Sequence, residues 1–362
     1  MAKNEKISEH GFKVFVVLTF TGTSVLNVPG ALIGKAKQDA WIATIIGIII
    51  TLLIVAFYNK VAVQLGNMTL VGYAHKVMGK RVGKIISVYF VLFLILNCAA
   101  ILWIVGNFIS TEILTDTPTL VVNALFMIVV IFGCRLGIEV VTRSAEVLYP
   151  WAIAGYIILI TFTLPSIKLT NFKPFFEVKL IDVFHAVMLF QAFVSLTFVV
   201  FLMIFPASIK NIKEGKKSFY KGGIFAGILL FVLTNITVLV LGAQWASRSM
   251  YPSYALARNI QLANALERVE AITAMVWIIA IFYKTVLYFY GAVIGFSEIL
   301  SLKDYKALTL PLGVIIVILS QVIYPDVVYE MNWDTTTWIP YVFTNAILIP
   351  LFLIIVDKMK NK

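Results

Sequence analysis

A lysine sits where this chain offers it least. Residues Ala271 to Ser297 form an unbroken apolar run long enough to cross a bilayer, and Lys284 lies at its middle. Tyr288 follows four residues on and shares its helix face. A lysine at that depth costs at least ~2.5–3.5 kcal/mol, so a buried partner, water or a function must compensate it. Three chemistries fit. It is a structural cation held by backbone carbonyls, or it replaces a coupling cation or titrates as a proton-coupling group, or it meets a ligand carboxylate directly. Other polar residues at mid-span depth are few: Gly22-Thr23-Ser24, Asn97, Gln191, Ser195, Thr197, Asn235, Tyr283, Thr344 and Asn345. A buried asparagine in a helix bundle serves more often as interhelical glue than as a ligand contact.

No catalytic set accompanies them. His10 and His75 fall on one side of the expected membrane and His185 at the outer end of another apolar run, so no metal cluster is expected. No acidic residue is placed mid-membrane as a general base, and no Gly-rich phosphate loop is present. The expectation is neither an ATP-driven pump nor an enzyme, with no cofactor.

The elements that must position these residues are membrane spans. Hydrophobic residues make up 61% of the 362 and charged residues 13%, and mean hydropathy is +0.97. A soluble domain is about half apolar and a quarter charged, so the chain is an all-α integral membrane protein. Ten runs read as spans: 12–33, 40–62, 85–111, 119–135, 144–165, 184–206, 219–243, 267–298, 308–324 and 336–357. The first lacks a small-residue cleavage site and reads as a first transmembrane helix rather than a removable signal. With both termini cytoplasmic, 20 of the 29 Lys and Arg fall in inner segments and 8 in outer ones; the one left is Lys284. That bias obeys the positive-inside rule and accounts for the net charge of +11, so no nucleic acid need be invoked. Cys98 and Cys134 lie within apolar segments and imply no disulfide framework.

Two connections have helical patterning. Thr69–Lys84 reads either as an amphipathic helix on the inner membrane face or as a basic loop that obeys topology. Ala243–Asn264 reads as a small outer helix, serving as a lid or as a rigid cap. No compositional shift marks a second domain. Ten spans divide into five plus five, and an odd number per half makes the halves inverted repeats, over about 12–165 and 184–357. Each half opens on a span with a polar midpoint and a proline near its exit: Gly22-Thr23-Ser24 with Pro29, and Gln191, Ser195 and Thr197 with Pro206. Proline prevents regular helix there, and irregular backbone at that depth is tolerated where it lines a cavity. A kink packed through small residues is the alternative.

Several pieces resemble the spore-germination permeases, the B-type subunits of nutrient germinant receptors, within the amino acid–polyamine–organocation superfamily. They are Leu266-Glu267-Arg268-Val269-Glu270 leading into Val276-Trp277-Ile278-Ile279, Tyr324-Pro325-Asp326, Leu26-Asn27-Val28-Pro29, and Pro206 followed by a lysine-rich loop. The resemblance covers essentially the whole chain. It implies the LeuT-like amino acid permease fold, with inverted five-helix repeats and discontinuous helices one and six. It also implies a small-molecule pocket between helices one, three, six and eight. On this chain that pocket falls on Gly22, Thr23 and Ser24, on Phe93 and Asn97, on Thr197 and Phe198, and on Lys284 and Tyr288. Freed amides at the first break would receive a carboxylate, and Phe93, Phe190 and Tyr288 would close on an apolar side chain. Three departures keep the ligand from being inherited: Ser24 stands for a second glycine, Lys284 for a small polar residue, and Val200 lies where relatives carry an acid.

The leading expectation is a membrane subunit of a germinant receptor in the spore inner membrane. It would bind a small germinant such as an amino acid and work with an A-type membrane subunit and a C-type lipoprotein. A proton-coupled amino acid transporter of the cell membrane and a ligand-gated ion channel subunit share the same span map.

Overall fold

The computed structural model describes residues 5–259 and 269–360, and over them the chain is almost entirely helical. Lipid offers no partner for a bare amide or carbonyl, so an apolar chain satisfies its backbone internally by coiling. Helix α1 (Glu9–Ala36) starts at Ser8, whose hydroxyl accepts from the Gly11 amide, and a 3-10 turn at Lys37–Asp39 returns the chain into α2 (Ala40–Leu65). Then follow α3 (Leu70–Glu112), α4 (Thr119–Leu136) and α5 (Ile138–Thr163). The second half holds α6 (Leu180–Phe190), α7 (Ile212–Leu241), the short α8 (Ala243–Ala246) and α9 (Pro252–Arg258), and α10 (Val269–Ile299). It ends with α11 (Thr309–Val322), α12 (Val327–Thr336), α13 (Trp338–Phe343) and α14 (Ile349–Lys360). Among the described residues nine helical stretches are long and apolar enough to cross a membrane, the first of them the α1–α2 pair read through its turn.

α1 lies at the centre, against α5, α6, α7 and α10, and α10 packs in turn on α3. Both are buried on nearly every face, as expected of helices apolar all round. The peripheral helices instead present Ile49 and Leu53, Leu125 and Phe132, or Val314 and Ile318 outward, a surface suited to lipid.

The two proline-bearing helices differ. The expected discontinuity of helix one does not appear: Glu9–Ala36 is helical throughout. Pro29 has no N–H to give the Val25 carbonyl, and Ser253 Oγ on α9 donates to that oxygen at 2.6 Å instead. Gly22 is pressed against α10, where a Cβ would come within 3.0 Å of the Lys284 side chain. The helix expected over 184–206 does break at its polar midpoint. α6 passes into a π turn at Gln191–Ser195 and then a 3-10 stretch at Leu196–Met203. Side chains take up the carbonyls this loosens. Trp338 Nε1 donates to Ala192 O at 3.2 Å, Tyr58 OH to Leu196 O at 3.2 Å and Tyr288 OH to Thr197 O at 2.9 Å. Gln191 Nε2 donates to Gly47 O on α2 at 3.0 Å, and the Thr51 and Ser195 hydroxyls share a 2.6 Å hydrogen bond.

Thr69–Lys84 becomes the start of α3 up to a bend at Gly79, whose φ of 74° is left-handed backbone that glycine adopts without steric cost. Its apolar residues Leu70, Val71, Tyr73, Ala74 and Val77 are buried within the protein, and Tyr73 OH donates to Asp357 at 2.7 Å. That face is therefore not left for the membrane surface. Of the Ala243–Asn264 connection, α8 and α9 form a cap: Tyr251 and Tyr254 meet the Phe108 ring edge-on at 5.0 and 5.1 Å, and Asn107 Nδ2 donates to Tyr251 OH at 2.8 Å. Residues 260–264 of that connection, and Leu266-Glu267-Arg268, lie outside the described residues.

Candidate functional site

Lys284 is 2% exposed, and its Nζ donates to Thr23 Oγ1 on α1 at 2.6 Å. Among the described residues no carboxylate pairs with it. A buried ammonium with one neutral partner has two N–H donors to spare and an unbalanced charge. It faces a small chamber of about 50 Å³, room for a few waters at ~10–15 Å³ each.

Four helical segments supply the walls. α1 gives Thr23 and Asn27, α3 gives Asn97, Ala100, Ile101 and Ile104, the loosened turn after α6 gives Phe193 and Thr197, and α10 gives Lys284. The roof comes from the connection after α11: Tyr324, Glu330 and Asp334 on α12, and Trp338 at the start of α13. Above the roof lies a vestibule of about 260 Å³ that reaches Lys35, Ser247 and Ser249. Asn27, Phe193, Glu330 and Asp334 line both spaces and so form the neck between them.

Of the residues expected at the pocket, Thr23, Asn97, Thr197 and Lys284 meet around one space, with Gly22 backing the lysine. The others do not line it. Phe93 is covered by Trp338, stacked at 6.2 Å and 7°. Phe190 lies on Gly47, and Phe198 joins Phe20, Phe201 and Phe219 in an aromatic cluster. Tyr288 is buried with its hydroxyl on the Thr197 carbonyl, and Ser24 is fully buried, its Oγ unpartnered among the described residues. The aromatic residues that line the chamber are Phe193, Tyr324 and Trp338.

Asn27, Phe193, Tyr324, Trp338 and above all the acid pair escaped the sequence reading. The spans place no acid mid-membrane, but Glu330 and Asp334 reach the chamber from a connection. A signal was present, since Asp326 is an N-cap, accepting from the Tyr329 amide at 2.7 Å, and Glu330 and Asp334 follow it four residues apart on one helix face. A search for apolar spans discards that stretch. Glu330 is 4% exposed. Burial pushes its carboxyl up to about 7, and burial together with the Glu330 charge pushes Asp334 well above the usual carboxylate range. The two groups lie close enough to share a proton.

At the other end of α1 a second crevice of about 400 Å³ is lined by Lys6, Thr69, Tyr290, Glu298 and Tyr305 among others. Glu298 accepts from Thr69 Oγ1 at 2.6 Å. The amino-terminal segment straps this end: Ile7 N donates to Ser208 O at 2.7 Å, Lys210 N to Ile7 O at 3.2 Å, and the Glu5 carboxylate accepts from the Ile138 amide at 2.7 Å.

Residues 6–327 match the family model described as spore germination protein. The chain belongs to the spore germination protein family. Among relatives of this family, it is 29% identical to spore germination protein KB of Bacillus subtilis, over 99% of this chain and 96% of that one. It is 26% identical to the B. subtilis putative spore germination protein YfkT (98% and 97% covered) and 24% identical to GerLB of Bacillus cereus (99% and 96%). The acid pair falls just beyond the matched segment. Among solved structures, MhsT in complex with L-phenylalanine superposes with a TM-score of 0.72 at 14% identity, over 97% of this chain and 98% of that one. Mhp1, a nucleobase-cation-symport-1 family transporter, gives 0.69 at 12% identity, over 96% and 80%. The fold is thus that of LeuT-type transporters, as the sequence reading expected, and this spore germination protein is a multi-pass membrane protein.

Proposed function

We propose that this spore germination protein is the membrane subunit of a nutrient germinant receptor, binding a small germinant in the chamber beneath α12 and passing that event to partner subunits. The observation that carries the reading is Lys284: a buried ammonium in a chamber wall, hydrogen-bonded to Thr23 but paired with no carboxylate among the described residues. A ligand carboxylate, as on an amino acid, is the group that balances it. The same fold holding L-phenylalanine in MhsT supports an amino acid as the germinant class. Thr23, Asn97, Thr197 and Lys284 are the proposed ligand contacts. Gly22 and Ser24 set the close approach of α1, while Phe93, Phe198, Phe190 and Tyr288 hold the walls. The chamber as it stands is smaller than an amino acid requires, so binding moves the roof.

The proposed partners are an A-type membrane subunit and a C-type lipoprotein. The location is the spore inner membrane with both termini cytoplasmic, on the strength of the basic residues gathered at the end that holds Lys6, Lys210 and Lys360. The two halves are taken as repeats over about 12–165 and 184–357. Cavities at both ends of α1 favour a second reading, a proton-coupled amino acid transporter.

Lys284→Ala in spores tests the receptor. The expected result is loss of germinant response at near-normal protein abundance; loss of the protein from the membrane would assign the lysine a structural role instead. Purified protein in liposomes separates the two readings. Accumulation of labelled amino acid driven by a pH gradient would replace the receptor with the transporter.

A further inference from the structure

Three of the four residues at the neck between vestibule and chamber, Asn27, Glu330 and Asp334, carry side-chain oxygens; the fourth is Phe193. Glu330 and Asp334 supply two carboxyls from one face of α12, and Asn27 on α1 lines the same constriction. Asn27 Oδ1 is buried and has no donor among the described residues. In the chamber wall, Asn97 is 6% exposed and donates its amide NH₂ to the Phe93 carbonyl at 2.9 Å. Buried acceptors are expensive unless a donor reaches them. The one buried cation in the chamber, Lys284, is committed to Thr23 and has no carboxylate partner among the described residues.

We propose that Glu330, Asp334 and the Asn27 side-chain oxygen form a recognition site for a small monovalent cation, either the primary ammonium group of an organic ligand or a free ion. The site takes a group that donates to, or is coordinated by, oxygen and that carries one positive charge to offset the shared carboxylate. Lys284 repels that charge from the chamber floor and so holds it at the neck. A ligand with an ammonium and an anionic end would span the two sites, ammonium at the roof and anion on Lys284. Because α12 carries both carboxyls, occupancy of the neck ties the roof down through the ligand. This rests on the chamber being the germinant site, but the binding itself belongs to the purified chain.

Binding at the neck competes with the shared proton. The charged and titratable groups around it are Lys35 from α1, Lys284 from α10, Tyr324 before α12 and Tyr251 before α9. Burial pushes both tyrosines well up, so they stay neutral; the carboxyl pair is what loses a proton as pH rises through about 7. Cation binding therefore strengthens with rising pH.

The experiment follows thermal stabilisation of the purified full-length protein in detergent or nanodiscs, titrated with methylammonium chloride or potassium chloride at ionic strength held constant with choline chloride. A ligand that binds the folded state raises the melting temperature in a saturable way. Methylammonium is expected to do so at about pH 8 and to weaken by about pH 5.5, with Glu330→Gln and Asp334→Asn each weakening the midpoint by about tenfold or more. Potassium acting equally well assigns the site to a free ion; methylammonium acting alone assigns it to an organic ammonium. Should either variant fail to fold, the pH dependence of the unaltered protein still decides. The proposal is overturned if neither cation gives saturable stabilisation at the higher pH. It is equally overturned if the response is the same at both pH values, or if both variants keep the original midpoint. Normal germination by spores carrying Glu330→Gln or Asp334→Asn, with cation binding lost from the purified variants, would count against the receptor reading and leave the neck site standing.

Discussion

Helix α1 and the span that α6 begins face the same difficulty, polar residues at mid-membrane depth and a proline near the exit, and resolve it in opposite ways. α1 stays helical from Glu9 to Ala36, whereas the chain after Phe190 relaxes into π and then 3-10 turns. The difference lies in the neighbours. The one carbonyl that Pro29 strands on α1, that of Val25, is met by Ser253, and Gly22 lets Lys284 close against the helix. Around the second helix, donors from three separate elements, Tyr58, Tyr288 and Trp338, stand ready for carbonyls that a regular helix would have kept to itself. A mid-span polar residue therefore permits a break without causing one; side chains elsewhere decide which backbone state is satisfied.

Substitutions that remove those neighbours test the comparison. The largest effect is expected at Gly47, where a Cβ would meet the Phe190 ring at 2.6 Å. Gly47→Val should overpack the seat of the broken helix by ~1–3 kcal/mol or more, seen as reduced folded protein and a lower melting temperature. Unchanged stability would mean that α2 does not hold Phe190. Ser253→Ala strands the Val25 carbonyl and should destabilise by ~1–3 kcal/mol, with faster amide exchange concentrated in α1 around Pro29 and rescue by Ser253→Thr. Uniform exchange would show that Ser253 is not what keeps α1 continuous. Tyr288→Phe frees the Thr197 carbonyl at a cost of ~1 kcal/mol, and loosening should stay within 191–203. The smallest effect belongs to the Thr51–Ser195 hydrogen bond. A double-mutant cycle with Thr51→Val and Ser195→Ala should return a coupling of ~0.5–1.5 kcal/mol; a coupling near zero would show the break to be independent of α2.

Much of the architecture was legible because membrane physics reduces the choices to a few. Apolar runs of spanning length, the charge asymmetry of the connections and the lone Lys284 follow from one-dimensional patterns, and the resemblance in several segments points to the family that the match over residues 6–327 establishes. Thr23, Asn97, Thr197 and Lys284 line one space because polar side chains at depth turn inward. Phe93, Phe190, Phe198 and Tyr288 lie outside that lining, since an aromatic ring is at home in a core or in a cavity wall and its identity does not say which. Glu330 and Asp334 were passed over because a carboxylate in a connection looks solvated until the connection is seen folded back over the bundle.

The sequence by itself thus determined that the chain crosses the membrane many times and that a buried cation needs an answer, since transfer free energies act residue by residue. Only the tertiary structure decided where α1 stays whole, where its partner breaks, and which acids come to roof the lysine. Those outcomes depend on hydrogen-bond partners brought from far along the chain. Ser253 reaches Val25 from 228 positions away and Tyr288 reaches Thr197 from 91, and no local pattern encodes such a meeting.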